Sequence, residues 1–218
     1  MFKKFSEGVY GEIYTNSKTV KKKLKENNKG FEYSVQSLAY RIDPKHIARP
    51  IEYDPYTMTL EMNYVKGVPL VEYRGKRPIN EILSDIVKTL QKIQKKYPSF
   101  RHNDLHGENV LVKRDGTPVI IDFGLANIEK RHLRNRLLRK NNYLKREYGI
   151  FPRNDKMYDV HYIINSLYIK GKKSMAKYLP PGYTGTFNDK LSFGRFRYDV
   201  SHSSFPSFEK IISQLSNK

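Results

Sequence analysis

The chain has 218 residues and a formal net charge of +19, with 41 Lys and Arg against 22 Asp and Glu. It contains no Cys, which excludes disulfides, thiolate metal sites and a cysteine nucleophile, and which fits a cytoplasmic protein. We expect no signal peptide and no transmembrane segment, because no apolar run approaches the roughly 18 residues that a spanning helix needs. The charge favours polyanionic partners, although a Lys-rich and Asn-rich proteome would produce the same excess.

The first sixty residues predict strands and one short helix. A turn signal at residues 16–18 separates two β-prone segments and predicts a hairpin. Apolar residues that include Val35 and Ala39 predict a helix over 32–39. A second turn signal at 54–55 lies between two further β-prone segments. The segments predicted as strands are 13–15, 19–20, 51–53 and 58–62.

Beyond Gly67 and Pro69, which we interpret as a break between elements, the pattern changes to helical spacing. Apolar residues from Ile79 to Ile93 form one stripe and predict a helix that ends before Pro98. Two short strands joined by a turn follow at 110–112 and 119–121. This order predicts a strand-rich part at residues 1–65, a helix-rich part at 66–218 and a joint near 63–67.

The strongest motif is the run from His102 to Asn109, which is followed by Asp-Phe-Gly at 122–124. Asp104 precedes Asn109 by five residues and Asp122 by eighteen. Phosphoryl transfer needs one carboxylate to orient the attacking hydroxyl, and a second carboxylate with an amide oxygen to hold metal ions on the phosphates. A chance turn and an asparagine cap would explain each motif alone, but they explain the combined spacing poorly.

These motifs resemble the catalytic loop and the Asp-Phe-Gly motif of protein kinases. The resemblance implies an α+β, bilobal protein-kinase-like fold. A strand-rich nucleotide-binding lobe would span residues 1–65, and a reduced helical catalytic lobe would span 66–218. The resemblance also implies ATP as the cofactor, with Mg²⁺ or, in its place, Mn²⁺. Asp104 would orient the acceptor hydroxyl, and Asn109 and Asp122 would be the metal ligands.

Residues 6–13 resemble the glycine-rich loop of the same family, with Ser6 at the position of the first glycine. Gly8 and Gly11 would let backbone N–H groups approach the triphosphate closely. Two glycines in a hairpin are also common for structural reasons alone. The assignment to nucleotide binding instead depends on the position of this segment, just before the predicted strands.

The family also places a strand lysine on the α- and β-phosphates, and the segment 19–24 resembles that strand. Alternation along a strand puts Val20, Lys22 and Leu24 on one face. We therefore expect Lys22 to be the phosphate lysine, with Lys21 as the second choice. The same run of lysines would also suit a solvated basic edge strand.

Two acidic residues are expected to support these groups. Glu32 would hold Lys22, because Val35 and Ala39 give its helix a packing face. It could equally be a first-turn glutamate that the helix dipole favours. Asp159 resembles the buried aspartate that anchors the catalytic loop, but an aspartate before an apolar stretch is also an ordinary N-cap. The sequence leaves both pairs of alternatives open.

The segment that begins at Met62 resembles the hinge that binds adenine through backbone groups. The resemblance implies that Met62 is the gatekeeper and that Asn63 and Tyr64 lie beside the base. Val20 and Leu111 would cover the two faces of the base, although either could be part of the plain hydrophobic core.

The segment after the Asp-Phe-Gly motif departs from the family. No Ala-Pro-Glu motif follows, and residues 129–149 carry many Lys and Arg together with Leu133, Leu137 and Leu144. This pattern predicts a basic helix with one apolar face within 130–146. Such a helix either packs on the lobe with a solvated basic face or docks an acidic protein substrate, nucleic acid or an anionic membrane surface.

The catalytic loop departs from the family at His106, where protein kinases usually carry Lys. The loop 104–109 therefore also resembles aminoglycoside phosphotransferases and lipopolysaccharide-core sugar kinases. In its compact size and basic composition the chain resembles truncated kinases of large DNA viruses. That resemblance would place the protein in the host cell.

The leading interpretation is a Ser/Thr protein kinase that needs no activation-loop phosphorylation. Asn103 stands where many kinases have the arginine that pairs with the loop phosphate, and no Ser or Thr occurs from Pro118 to Asn165. A small-molecule kinase is the alternative enzyme, although the C-terminal part leaves little room for its substrate pocket. A pseudokinase or polyanion-binding module is the third interpretation. It is disfavoured because every residue that the chemistry needs has a candidate, including Lys22 and Glu32.

Overall fold

The computed structural model describes residues 2–8, 11–25, 30–129, 156–179 and 206–216. Its first part consists of five strands and one helix. These are β1 (Lys3–Gly8), β2 (Gly11–Thr15), β3 (Thr19–Leu24), α1 (Phe31–Ile42), β4 (Pro50–Asp54) and β5 (Thr59–Asn63). The strands form one antiparallel sheet in the order β1-β2-β3-β5-β4. β3 therefore lies in the centre of the sheet, between β2 and β5, and is not an edge strand.

The predicted hairpin is confirmed as β2 and β3. Asn16 Oδ1 accepts hydrogen bonds from the backbone N–H of Lys18 (3.0 Å) and of Thr19 (2.8 Å). Ser17 takes a left-handed conformation with φ 68°. Asn side chains favour such turns because they bond backbone groups a few residues further on. The turn thus sets the register in which β3 presents Lys22.

The second part holds a smaller sheet and the remaining helices of the described residues. Its elements are β6 (Gly67–Pro69), α2 (Ile79–Lys96), β7 (Val110–Lys113), β8 (Pro118–Ile120), α3 (Tyr158–Ile169), a 3-10 helix (Lys173–Tyr178) and α4 (Phe208–Ser216). The three strands form an antiparallel sheet in the order β6-β7-β8. The chain therefore has the predicted α+β, kinase-like fold with its strand-rich part first.

The interpretation of Gly67 and Pro69 as a break is wrong, because both residues lie in β6. A Cβ atom at Gly67 would lie 2.8 Å from the carbonyl oxygen of Val112 on β7. Glycine here permits a close approach of two strands, which is a different use of the residue from its use in turns. The chain passes from the first sheet to the second through residues 64–66. The lobe boundary at residue 65 stays a prediction.

The predicted amphipathic helix is confirmed as α2, whose buried apolar stripe runs from Ile82 to Ile93. α4 packs against it, and Asn80 Nδ2 donates to the Leu215 carbonyl oxygen at 2.8 Å. Each fully buried large aliphatic side chain in this stripe contributes about 1.5–3 kcal/mol to folding. α3 is buried along nearly its whole length, so its polar side chains lie inside the molecule.

The loop after α1 fastens the first sheet to the second. Ile47 forms an isolated parallel bridge with Ile120 of β8. Ala48 N–H donates to the Ile120 carbonyl oxygen (3.0 Å), and Ile120 N–H donates to the His46 carbonyl oxygen (2.8 Å). Among the described residues, the two sheets are thus connected covalently through residues 64–66 and by hydrogen bonds through this loop.

Two predicted features lie outside the described residues. They are the basic helix at 130–146 and residues 9–10 of the glycine-rich segment. Within the ranges that the structure describes, none of the helices combines the length and the apolar character needed to cross a membrane.

Candidate active site

The alternation of β3 decides which lysine enters the interior. Lys22 is buried, with 6% of its surface exposed, and its Nζ donates to both carboxylate oxygens of Glu32, at 2.8 and 3.1 Å. The same Nζ donates to Asp122 Oδ1 at 2.8 Å. Lys21 points to the other face, where its Nζ lies 3.1 Å from Glu61 Oε2. The structure therefore brings Lys22, Glu32 and Asp122 together, and we call these three residues the Lys22 cluster.

The charges of the Lys22 cluster follow from burial and proximity. Burial acts to lower the pKa of Lys22, but the carboxylates of Asp122 and Glu32 outweigh it and raise the pKa above its ordinary value. Burial raises the pKa of Glu32, which the nearby ammonium offsets only in part. Desolvation acts in the same direction on Asp122, but Lys22 holds the pKa of that carboxyl below its usual value. Lys22 and Asp122 are therefore both charged at neutral pH.

Asp122 follows β8 in a strained conformation. Its φ is +58°, in the left-handed region that costs a non-glycine residue about 1–2 kcal/mol. Its Oδ1 accepts a hydrogen bond from Gly124 N–H at 3.2 Å. Just before it, Ile121 N–H donates to the Asn109 carbonyl oxygen at 3.0 Å. The β7–β8 hairpin therefore places Asn109 and Asp122, the two predicted metal ligands, at neighbouring positions.

The loop 104–109 is organised around the amide group of Asn109. Asn109 Nδ2 donates to the Asp104 carbonyl oxygen at 2.8 Å and lies 3.1 Å from His106 Nε2. His106 Nε2 in turn lies 3.7 Å from Asp104 Oδ2. The Asp104 side chain is 27% exposed, so the carboxylate lies partly at the surface. The amide nitrogen of Asn109 therefore bonds within the loop, and the metal-ligand role of its amide oxygen stays a prediction.

Asp159 supports this loop from the buried helix α3. Its two carboxylate oxygens accept hydrogen bonds from the backbone N–H groups of His102 and Asn103, both at 2.8 Å. Met157 is the N-cap of α3, and no side chain caps this helix. The structure thus favours the anchoring alternative over the N-cap. Burial raises the pKa of Asp159, and this effect exceeds the opposing effect of His102 and of the hydrogen bonds.

Two further supporting residues lie in this region, and sequence reasoning assigned neither a contact. Ser166 of α3 accepts a hydrogen bond from Gly107 N–H at 3.0 Å through its hydroxyl group. Asn103 has a φ of +65°, and its Nδ2 donates to the Leu125 carbonyl oxygen at 2.9 Å. A single Ser inside an apolar helix carries no sequence signal. Asn103 was conspicuous in the sequence only as a replacement for arginine.

The residues predicted to surround the nucleotide lie on the strands as follows. Met62 is buried on β5 directly opposite Val20 of β3, and Leu111 is half-buried on β7. Ser6 and Gly8 lie on β1, opposite Ile13 and Gly11 of β2.

Some of these positions have a structural explanation of their own. A Cβ atom at Gly11 would lie 2.6 Å from the Lys23 carbonyl oxygen, so glycine is required for strand packing at this position whatever its role toward a ligand. Asn63 N–H donates to the Arg49 carbonyl oxygen (2.9 Å), and Tyr64 N–H donates to the Lys18 carbonyl oxygen (2.9 Å). These two amide groups are therefore already engaged by the protein itself.

Comparison with known proteins gives two similarities. Residues 50–144 match the model of the ABC1 atypical kinase-like domain. This match covers less than half of the chain and includes Asp104, Asn109 and Asp122. A segment of 67 residues is 36% identical to an uncharacterised protein of Dictyostelium discoideum. It covers 31% of this chain and only 7% of that relative. The family match supports a kinase-like domain.

Proposed function

We propose that the chain is an ATP-dependent kinase that phosphorylates Ser and Thr hydroxyls of protein substrates. The observation that carries the proposal is the Lys22 cluster, in which one ammonium group bonds carboxylates from α1 and from the segment after β8. Residues 100 positions apart meet there in one charged site. Such an arrangement gives a nucleotide triphosphate a cation to bind and keeps an ionised carboxylate beside it.

Asp122 and Asn109 have the chemistry that a Mg²⁺ or Mn²⁺ ion requires. Among the residues that the structure describes, no three His, Asp or Glu side chains cluster as a complete metal site. Magnesium in kinases is bound through one or two protein groups, and substrate phosphates complete its coordination. The ionised carboxylate of Asp122 and the free amide oxygen of Asn109 supply such groups. When bound, the metal neutralises charge on the phosphate oxygens.

The remaining residues take the following roles in the proposed reaction. Asp104 orients the acceptor hydroxyl and accepts its proton as the acceptor oxygen bonds to the γ-phosphorus. The bond from the γ-phosphorus to the β–γ bridging oxygen breaks, and ADP leaves with that electron pair. Lys22 binds the α- and β-phosphates. Met62, Val20 and Leu111 surround the adenine, and Ser6, Gly8 and Gly11 form the edge over the phosphates.

A small-molecule kinase is the second candidate, and the position of His106 favours it. The imidazole lies next to Asn109 and Asp104, where a lysine would give a protein kinase a permanent cation. A comparison of protein and small-molecule acceptors in a transfer assay therefore decides between the two candidates. We further propose a cytoplasmic location, and an acidic protein substrate that binds residues 130–146.

The experiment is phosphate transfer from radiolabelled ATP to a panel of protein and small-molecule acceptors, made with wild type, Asp104→Asn and Asp115→Asn. Asp104→Asn should lower turnover by roughly 10²–10⁴-fold, because positioned acid–base groups contribute that much. It should leave ATP binding intact. Asp115 lies in the β7–β8 turn and bonds Thr117 N–H, so it is the matched control. Turnover of Asp104→Asn within a few-fold of wild type would contradict the assignment, and labelling of small molecules alone would select the second candidate.

A further inference from the structure

A cavity of about 470 Å³ lies beside the segment that connects the two sheets. Its walls come from the loop after α1 (residues 44–49), from residues 63–66, and from the β7–β8 turn (residues 113–115). It shares Asn63 and Tyr64 with the proposed adenine site. It is lined by no member of the Lys22 cluster and by neither Asp104 nor Asn109. This cavity is therefore separate from the proposed phosphoryl-transfer site.

The lining of this cavity is strongly basic. Five cationic side chains contribute to it: Lys45, Arg49, Lys66, Lys113 and Arg114. Asp115 is the one acidic residue of the lining, and it accepts a hydrogen bond from Thr117 N–H at 2.9 Å within its own turn. Within the described part of the chain, none of the five cations forms an ion pair with a carboxylate.

Unpaired like charges around a concave surface raise the local potential and attract a counter-ion. Some other lysines of the described surface form ion pairs with carboxylates, as in Lys4–Glu12, Lys92–Asp43 and Lys170–Glu108, whereas others, such as Lys88 and Lys95, stand apart on an exposed helix face. The basic cavity therefore differs from the rest of a basic surface in two respects, its concave shape and the five cations without an ion pair that it brings together. Both respects favour an anionic ligand over solvent alone.

The size and the other lining residues define the class of ligand. A volume of about 470 Å³ falls in the usual range for small-molecule sites, roughly 300–1,000 Å³. Ile47, Ala48 and Val119 supply apolar surface, and Tyr40 and Tyr64 supply two aromatic rings. Five cations exceed what one phosphate group needs. We propose that this cavity binds a small organic molecule that carries two or more phosphate groups.

The test is calorimetric titration with inositol hexakisphosphate, a small polyphosphate without a nucleobase, at near-physiological salt. The cavity variant combines Arg49→Glu with Lys113→Glu. The control variant combines Lys88→Glu with Lys95→Glu, two exposed positions of α2 that give the same change in net charge. We expect the cavity variant to weaken binding at least tenfold and the control variant to change it less than threefold. Lys22→Met should bind the probe as wild type does.

Three results would overturn the proposal. One is equal weakening by the two charge-reversed variants, which would mean that only overall charge attracts the probe. Another is loss of probe binding in Lys22→Met, which would place the probe in the nucleotide site. The third is wild-type affinity in the cavity variant. If charge reversal prevents folding, as judged by thermal unfolding, the pair Arg49→Gln and Lys113→Gln gives the same measurement with a smaller expected decrease.

Discussion

The Lys22 cluster and the support of the catalytic loop position their parts of the site in different ways. In the Lys22 cluster, long side chains from three segments meet as ion pairs. Under the catalytic loop, Asp159 and Ser166 bond backbone amides, and no cation neutralises Asp159 within hydrogen-bonding distance among the residues described. Both regions contain a carboxylate from the interior, but one carboxylate bonds a flexible ammonium and the other bonds the main chain.

The ion pairs of the Lys22 cluster and the backbone hydrogen bonds under the catalytic loop should serve different purposes, ligand binding in the first case and local folding in the second. An ammonium on a four-carbon stem can shift between partners, so the Lys22 cluster suits a ligand that brings its own charges. Hydrogen bonds to backbone amides instead fix dihedral angles, such as the φ of +65° at Asn103. Substitutions in the Lys22 cluster should therefore change nucleotide affinity, and substitutions under the loop should change stability.

The largest effect is expected from Asp159→Ala. It removes both acceptors from two buried N–H groups, and each unsatisfied group costs about 1–3 kcal/mol. The free energy of unfolding, measured in urea, should fall by about 3 kcal/mol or more. Asp115→Ala removes one acceptor at an exposed turn and should cost about 1 kcal/mol or less. Similar losses in the two variants would contradict the anchoring role of Asp159.

A smaller effect, on ligand affinity, is expected from Lys22→Met. Hydrogen bonds to charged groups contribute about 1.5–3 kcal/mol, so ATP affinity should fall roughly 10- to 100-fold in a fluorescence or calorimetric titration. Lys21→Met removes the same charge on the other face of β3 and should stay within about twofold of wild type. If Lys21→Met lowers the affinity more than Lys22→Met, the two lysines have been assigned in the wrong order.

The two aspartates should also give opposite pH dependences of stability. Asp122 has a lowered pKa, so its contribution is present above the ordinary value of 3.8 and is lost as pH falls through the lower folded value. Asp159 has a raised pKa, so the pH-dependent part of its contribution is present below 3.8 and is lost as pH rises through the higher folded value, whereas its two hydrogen bonds to backbone N–H groups stay.

Urea unfolding from about pH 3 to about pH 6 checks this contrast. The stability difference between wild type and Asp122→Asn should grow as pH rises. The difference between wild type and Asp159→Asn should shrink over the same interval. Slopes of the same sign for both variants would show that the environments of the two carboxylates do not differ as described.

The smallest effect is expected from dephosphorylation. Asn103 Nδ2 bonds the Leu125 carbonyl oxygen, and Arg101 and Asn127 exchange backbone hydrogen bonds at 3.0 and 2.8 Å. These contacts hold the start of the segment after Asp-Phe-Gly without a phosphate group. Protein treated with a broad phosphatase and shown to be unphosphorylated by intact mass should keep its activity. A large loss that preincubation with ATP restores would contradict this expectation.

Local patterns were enough to predict much of the fold, because hairpins and amphipathic helices depend on neighbouring residues. Alternation of side chains along a strand favoured Lys22 over Lys21, and in β3 Lys22 is the buried one of the two. The catalytic roles of these residues stay predictions. Contacts between distant segments were harder to foresee. Ser166 reaches Gly107 across 59 positions, and Asp159 had two equally good interpretations until α3 was placed beside the loop. β6 was not predicted, because a glycine can mark a turn or, as Gly67 does, permit the close approach of two strands.

The bridge between Ile47 and Ile120 has a consequence for motion in the molecule. It attaches the loop after α1 to β8, and Asp43 in the same loop accepts hydrogen bonds from Thr89 (2.9 Å) and Lys92 (3.1 Å) of α2. Asp122 follows Ile120 by two residues, so the ion pair of Lys22 with Asp122 forms in the chain segment directly after this attachment. The attachment therefore restricts movement of Asp122 relative to the first sheet, and with it changes in the distance between Lys22 and Asp122.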